Sequence, residues 1–403
     1  MENNNSNKEF NDYLFFKIIR NKYLFYQILY HRDLYYTNET VGFISIQDLL
    51  DNQFKNYITY LQLYSNDPNT FKYIPYSVNK LLAVDYNILL SHDTFPKHFP
   101  VTNLMLKEFN QPLLTPCHLP NTLVSLELES FDYPLDPGCI SELPLNSLSL
   151  SSYTSPIEHG IFPSSLTKLQ LYNYNEPLLP NVLPPLLVYL ELQKYNYPLE
   201  ANCIPSLVKN LVMGSFNQPL KPYILPSSIN SISMEAFDQI LTENCLPNSL
   251  TDLSLFLFNK PLSPDVLPQS IVSLQLGCFN QVLYRDLLPR KLEILNLGKY
   301  NKPLSKDCFP SNIKRLSLDS YDISEINFIP ESIENLSLMG KKNTITQLPS
   351  SIKDLTIRAC SAIIKGLIQP GLTSLVLFNY NYSISSDILP NSIESLWING
   401  KMV

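Results

Sequence analysis

The sequence predicts a mainly β solenoid: a leucine-rich-repeat-like stack of about 16 turns of ~21 residues. It should have a parallel sheet on one face, an extended or 3-10 convex side and a small helical N-terminal cap. Three observations carry this prediction. Pro163, Pro184, Pro205, Pro226, Pro247, Pro268, Pro289 and Pro310 follow one another at intervals of 21 residues. Counted from each proline, apolar residues return at offsets +3, +6, +8 and +15. The 403 residues include 32 prolines but only 10 glycines, a balance that suits neither a flexible linker nor a glycine-loop nucleotide binder.

Residues 1–60 are expected to form an N-terminal tail and helical cap, and 61–403 the solenoid. Met1 to Lys8 is a polar, Asn-rich stretch. From Lys8 to Leu34, Leu14, Phe15, Ile18, Ile19, Phe25, Ile28 and Leu29 recur at mixed helical spacings, which predicts one helix or two short ones. A second start signal follows at Ser45, an N-cap type of residue with Asp48 three positions on. Leu61 and Leu63 mark a first irregular strand.

The repeats begin at Pro75 and pass in register through His98, Pro120 and Glu142 to Pro163. After Pro310 the spacing shortens to 20 and then 19 residues, at Pro330 and Pro349, and the register continues at Gln369 and Pro390. That makes sixteen copies. In each, the pair at +6 and +8 has period 2, so both side chains point to one face of a short strand while +5, +7 and +9 point to the other. One turn cannot bury its own leucines, but stacked turns bury them in a continuous core. Proline at +14 and at +21 excludes an α-helix from the return stroke. The final copy reaches +8 at Ile398, close to Val403, and predicts an open strand edge available for self-association.

The charge balance argues against several functions. With 29 basic and 36 acidic residues the net charge is −7, the wrong sign for a nucleic-acid binder. No run of 18 apolar residues is present, so no membrane helix is expected. The polar start does not read as a signal peptide, and a cytoplasmic protein with reduced thiols is expected.

Few residues point to chemistry. Cys117, Cys139, Cys203, Cys245 and Cys308 all fall at +19, where other copies carry Ile161, Val182, Ile224, Val266 and Leu287. A slot shared by Cys, Ile, Val and Leu is a buried apolar column, not a metal site. The five histidines have no ligand or protease spacing, and His118 is expected to face solvent. No cofactor and no enzymatic activity are expected. The outward strand face is the candidate for function. It is mostly small and polar, but Lys168, Tyr172, Tyr189 and Glu191 cluster on it, a residue mix enriched at binding hot spots. Trp397, the single tryptophan, occupies an outward +7 slot.

The segment from +11 to +15 reads Phe109-Asn110-Gln111-Pro112-Leu113, Phe216-Asn217-Gln218-Pro219-Leu220 and Phe258-Asn259-Lys260-Pro261-Leu262, with Tyr174-Asn175-Glu176-Pro177-Leu178 as a variant. It resembles the FNIP repeat, a short relative of the leucine-rich repeat abundant in amoebae and their large viruses, over roughly residues 60–403. Phe237-Asp238-Gln239-Ile240-Leu241 and Phe279-Asn280-Gln281-Val282-Leu283 lose the proline, and Cys360 replaces the aromatic. The +11 aromatics should stack as a spine, and Asn or Asp at +12 should bond neighbouring backbone. The resemblance implies a non-enzymatic scaffold that recognises a protein partner through the strand-lined face. Some viral members pair these repeats with an F-box, which implies an alternative: a ubiquitin-ligase adapter recruiting through the N-terminal helical segment. Here the Leu-Pro-acidic opening of that motif and its later Trp are missing.

Overall fold

The structure, a computed structural model, describes residues 17, 21–115, 118–322, 329–339, 348–358, 368–384 and 388–403. The chain divides into two units, Met1–Tyr153 and Thr154–Val403.

In the first unit, helix α1 (Lys22–Asn38) is capped by Asn21, whose Oδ1 accepts from the amides of Tyr23 and Leu24 at 3.1 and 3.3 Å. It buries none of its side chains. Its contacts with the unit run through Tyr57, which stacks on His31 and meets Tyr35 edge-on. Helix α2 (Ile46–Asp51) begins at Ser45, whose Oγ accepts from the Asp48 amide and donates to the Asp48 carboxylate. That short helix does reach the core, through Leu49. The predicted helical cap is therefore divided: α2 packs inward and α1 stands outside. Leu14, Phe15, Ile18 and Ile19 lie outside the described residues.

Six parallel strands follow in chain order: β1 (Thr40–Phe43), β2 (Tyr60–Leu63), β3 (Lys80–Ala83), β4 (Asn103–Leu106), β5 (Ser125–Leu128) and β6 (Ser147–Leu150). β1, which the periodicity did not predict, pairs Val41 with Leu61 and Phe43 with Leu63, so the sheet starts inside residues 1–60.

The second unit continues the pattern. Its parallel strands are β7 (Lys168–Gln170), β8 (Tyr189–Glu191), β9 (Asn210–Val212), β10 (Ser231–Ser233), β11 (Asp252–Ser254), β12 (Ser273–Gln275) and β13 (Ile294–Asn296). They are followed by β14 (Arg315–Asp322), β15 (Asn335–Met339), β16 (Asp354–Arg358), β17 (Ser374–Phe378) and β18 (Ser395–Ile398). Each strand pairs the same offset of neighbouring turns, as Ile232 with Leu253 and Leu274 with Leu295. From β3 to β18 these are the strands of the sixteen predicted copies. Among the described residues no α-helix follows α2, and the return strokes are extended or turn, with a 3-10 segment at Lys306–Cys308.

The offsets bury as the repeat requires. Leu190 and Leu192, like Leu253 and Leu255, are at most 2% exposed. The aromatic spine exists in both units. Phe109, Phe131 and Tyr153 stack at 6.3 and 6.4 Å in the first. In the second, Tyr174, Tyr195, Phe216, Phe237, Phe258, Phe279 and Tyr300 stack at 6.2–6.4 Å with planes within 10°. The +12 side chains form a second ladder. Each accepts from the next turn's +12 amide, as Asn196 Oδ1 from Asn217 N at 2.8 Å and Asn217 Oδ1 from Asp238 N at 2.9 Å. Glutamine at +13 braces it: Gln239 Nε2 donates to Asn217 Oδ1 at 3.0 Å. Where the ladder residue is Asp238, the brace is Lys260, 2.9 Å from its carboxylate. Ile240 and Val282, which replace proline at +14, are exposed, so that position is open to substitution.

The cysteine column is buried as expected at Cys139, Cys203, Cys245 and Cys308, all free thiols. Three donate to the +15 carbonyl of the preceding turn: Cys139 to Leu113, Cys203 to Leu178 and Cys308 to Leu283, at 3.0–3.1 Å. Burial pushes the thiols of Cys203 and Cys245 above their usual pKa. Cys117 and Cys360 lie outside the described residues. His118 departs from expectation: it is half-buried, and its Nδ1 donates to the Leu90 carbonyl at 3.2 Å.

The predicted open C-terminal edge is also corrected. β19 (Lys401–Met402) folds back antiparallel on Trp397 and Ile398. The turn is Asn399-Gly400, both with positive φ (50° and 81°), which matches the mirror-image turn that closes two-residue hairpins. Val403 N then donates to Leu396 O at 2.9 Å. Backbone groups expected to be free for self-association are occupied.

Candidate functional site: the outward strand face of the second unit

β7 and β8 place +5 and +7 side chains outward, and register sets Lys168 beside Tyr189 and Gln170 beside Glu191. The four expected residues and Gln170 form one network. Glu191 Oε2 accepts from the Tyr189 hydroxyl at 2.9 Å and from Gln170 Nε2 at 2.8 Å. Gln170 Nε2 also donates to the Tyr172 hydroxyl oxygen at 3.2 Å. Lys168 Nζ lies 5.3 Å from the Tyr189 ring centroid, a cation–π placement. Lys168 and Glu191 thus meet through the tyrosine and form no direct ion pair.

Glu191 is the unusual member. It occupies a strand face meant for solvent yet is only 8% exposed, and its carboxylate accepts from two neutral donors. Burial and the Glu191 carboxylate raise the Tyr189 pKa to about 12, which keeps the phenol protonated as a donor at neutral pH. Tyr172, at the edge of the network, is 36% exposed.

Trp397 is separate. It sits on β18, ten strands from β8, 39% exposed, with Met402 across the hairpin from it. Periodicity located it correctly but could not join it to the other four. The middle of the face is low: a side-chain carbon on Gly214 would fall 2.1 Å from Gln193, and one on Gly277 would fall 2.4 Å from the Phe256 ring. Phe256 and Gln193 therefore lie flat across neighbouring glycines, and Phe256 is 53% exposed. Among the described residues no group of three or more His, Cys, Asp or Glu side chains is arranged to hold a metal ion. No helix among them is long and apolar enough to cross a membrane.

Comparison with known proteins agrees with this architecture. The FNIP repeat profile matches residues 153–194, 195–235, 237–279, 258–300, 300–341 and 361–401, more than half of the chain. None of these matches falls before residue 153, although the first unit carries the same spine and ladder. No curated protein matches the chain. Among solved structures it is similar to the circular leucine-rich-repeat protein CroV588, with 26% identity and a TM-score of 0.64 over 85% of this chain and 60% of that one. It therefore spans less than two thirds of that relative. The fold is also similar to TLR13 in its complex with ssRNA13 (16% identity, TM-score 0.61, 89% of this chain and 60% of that one). Toll of the Drosophila Toll–Spatzle complex is a further fold match (14% identity, TM-score 0.55, 89% and 57%). With its repeats, spine and register in agreement with these matches, the chain belongs to the FNIP-repeat family.

Proposed function

We propose that this protein is a non-enzymatic scaffold that recognises a protein partner through the outward strand face of its second unit. Repeat folds of this kind generally serve protein interaction. The observation that carries the finer reading is Glu191, nearly buried and hydrogen-bonded by Tyr189 and Gln170. A solvated face has no need to order a lysine, two tyrosines and a glutamine around one carboxylate. Ordering them in advance lowers the entropy lost when a partner docks. Tyrosines of this kind supply large, amphipathic contact area. The reducing cytosol remains our proposed location, a reading that the four buried thiols support.

Proximity labelling with the intact chain tests the reading. Tyr172→Ser with Tyr189→Ser should deplete a defined set of neighbours at least tenfold while leaving the fold intact. An unchanged set would discard this face as the recognition surface.

One observation favours a second reading. Helix α1 buries nothing, yet it exposes Tyr23, Tyr26, Tyr30 and Tyr36. An element that only capped the core would bury its apolar side, and the exposed tyrosines of α1 support recruitment of another protein, as in a ligase adapter. Deleting residues 1–38 should then remove a second, different set of labelled proteins. Loss of ligase components from that set would support the adapter, and an unchanged set would dismiss it.

A further inference from the structure

Beyond the network on β7 and β8, the same face carries a second built feature. Arg358 on β16 stands in register with Phe378 on β17, and its guanidinium carbon lies 4.7 Å from the Phe378 ring centroid. Its Nε is 3.5 Å from Asp319 Oδ1 on β14, and Asp319 is itself held by the Ser337 hydroxyl at 2.6 Å. The guanidinium is thus held twice, over a ring and through Nε against a carboxylate. Among the described residues nothing accepts from its two terminal amino groups, and the side chain is 44% exposed. Trp397 lies one strand beyond Phe378, in register with Val376.

We infer that this is a docking site for an acidic segment of a protein partner. One side-chain carboxylate of the partner would accept both terminal amino groups of Arg358, and an adjacent apolar side chain would lie on Trp397. The inference rests on the proposed role of the strand face and names the chemistry its far end recognises. A guanidinium fork already oriented by ring and carboxylate matches the planar geometry of a second carboxylate. Local charge favours a singly charged ligand, because the Asp319 carboxylate stands against Arg358. A dianionic phosphate would meet that carboxylate with two negative charges where a carboxylate ligand brings one.

Trp397 is the single tryptophan, so its emission reports on this site alone. Titration of the full chain with acetyl-Leu-Glu-Leu-amide should change that emission saturably. Acetyl-Leu-Gln-Leu-amide should bind about tenfold more weakly, the loss of one charge-assisted pair. Arg358→Gln should abolish the difference between the two peptides. Arg358→Lys, which keeps charge but not the fork, should restore part of it. Equal binding of the two peptides, no saturable response, an unaltered Arg358→Gln variant or tighter binding of a phosphoserine peptide would each overturn the inference. The Tyr172→Ser, Tyr189→Ser chain should respond like the parent. If that chain alone loses its cellular neighbours while Arg358→Gln binds peptide normally, the strand-face reading survives and this one does not.

Discussion

From Pro163 to Pro310 the turns are 21 residues long and their strands span only three; the turns from Pro330 and Pro349 are 19 and 20 residues and their strands β15 and β16 span five, as does β17 in the 21-residue turn from Gln369. In the earlier turns the chain bends as soon as the +8 leucine is buried. The +11 amide bonds back to the +8 carbonyl, as Phe237 N to Met234 O at 3.3 Å and Phe258 N to Leu255 O at 3.2 Å. That bend delivers the +11 ring into the spine. In the later turns the ladder continues to +9, pairing Met339 with Arg358 and Arg358 with Phe378. Two of those copies also lack the aromatic, with Lys341 and Cys360 at +11. In the turns from Pro163 to Pro310 each strand ends at +7 ahead of a stacked +11 ring, whereas the ladder reaches +9 both in the turns of Lys341 and Cys360 and in that of Tyr380; position +9 is where Arg358 and Phe378 stand.

Truncating the spine is the strongest way to break this comparison. Phe237 is fully buried between Phe216 and Phe258, so Phe237→Ala should cost about 3–5 kcal/mol. Tyr380, at +11 of a later turn, is also buried and meets Tyr382 edge-on. Tyr380→Ala should cost about 2–3 kcal/mol and leave the earlier turns protected. Stacked repeats need not unfold together, so the measurement is turn-by-turn hydrogen exchange. Equal loss of protection throughout the unit after either change would show that the spine is not local.

The ladder and the turn column are expected to have smaller effects. Asn217→Ala leaves the Asp238 amide and the Gln239 side chain without their acceptor, at about 1–2 kcal/mol. Protection should fall in the turns on either side of it and not beyond β13. At +18, Asn181, Asn202, Asn244, Asp265 and Asp286 adopt φ of 59–66°, a region that asparagine and aspartate tolerate. Tyr223 holds the same conformation with no such tolerance, and its side chain is 80% exposed. Tyr223→Asn should therefore stabilise its turn by about 1 kcal/mol. A higher urea midpoint for the amides of residues 203–225 is the expected result, and a lower one would mean the ring is held by contacts it does not display.

Much of this was legible because the repeat reports the same fact many times. The strand positions, the inward pair at +6 and +8, the spine and the Ser45 cap follow from residue type and spacing alone. The left-handed column at +18 does not, since Gly138, Gly160, Asn181 and Tyr223 share a backbone conformation and no side-chain property. β1 was hidden because Thr40–Phe43 is short, contains a glycine and lies outside the period. The Asn399-Gly400 hairpin left a signal in the dipeptide, but so few residues follow it that the pattern of a strand is missing. Of the candidate site, spacing brought Lys168, Tyr172, Tyr189 and Glu191 to neighbouring strands, though the buried state of Glu191 depends on the rotamers above it. The contact between Arg358 and Asp319 spans two strands, beyond what adjacent-turn register can anticipate.

The weakest expected effect sharpens the comparison at its boundary. At +4, Glu293 meets Lys314 at 3.0 Å and Glu334 meets Lys353 at 2.8 Å. The hydrogen bond and charge of Lys353 hold the Glu334 carboxyl below its usual range, and Glu334 holds Lys353 above its own. A depressed carboxyl contributes stability above its unfolded pKa and loses it as pH falls through the folded value. A raised ammonium keeps its contribution until pH climbs through its own folded value. The pair should therefore operate across the whole neutral range and fade only in acid or strong base. Both side chains are open to solvent, which screens them, and the change in stability should be small. Lys353→Met should move the Glu334 titration, followed by carboxyl NMR, up toward the ordinary glutamate range. A Glu334 midpoint indifferent to Lys353 would mean that the column of alternating charge beside the lengthened strands is coincidence.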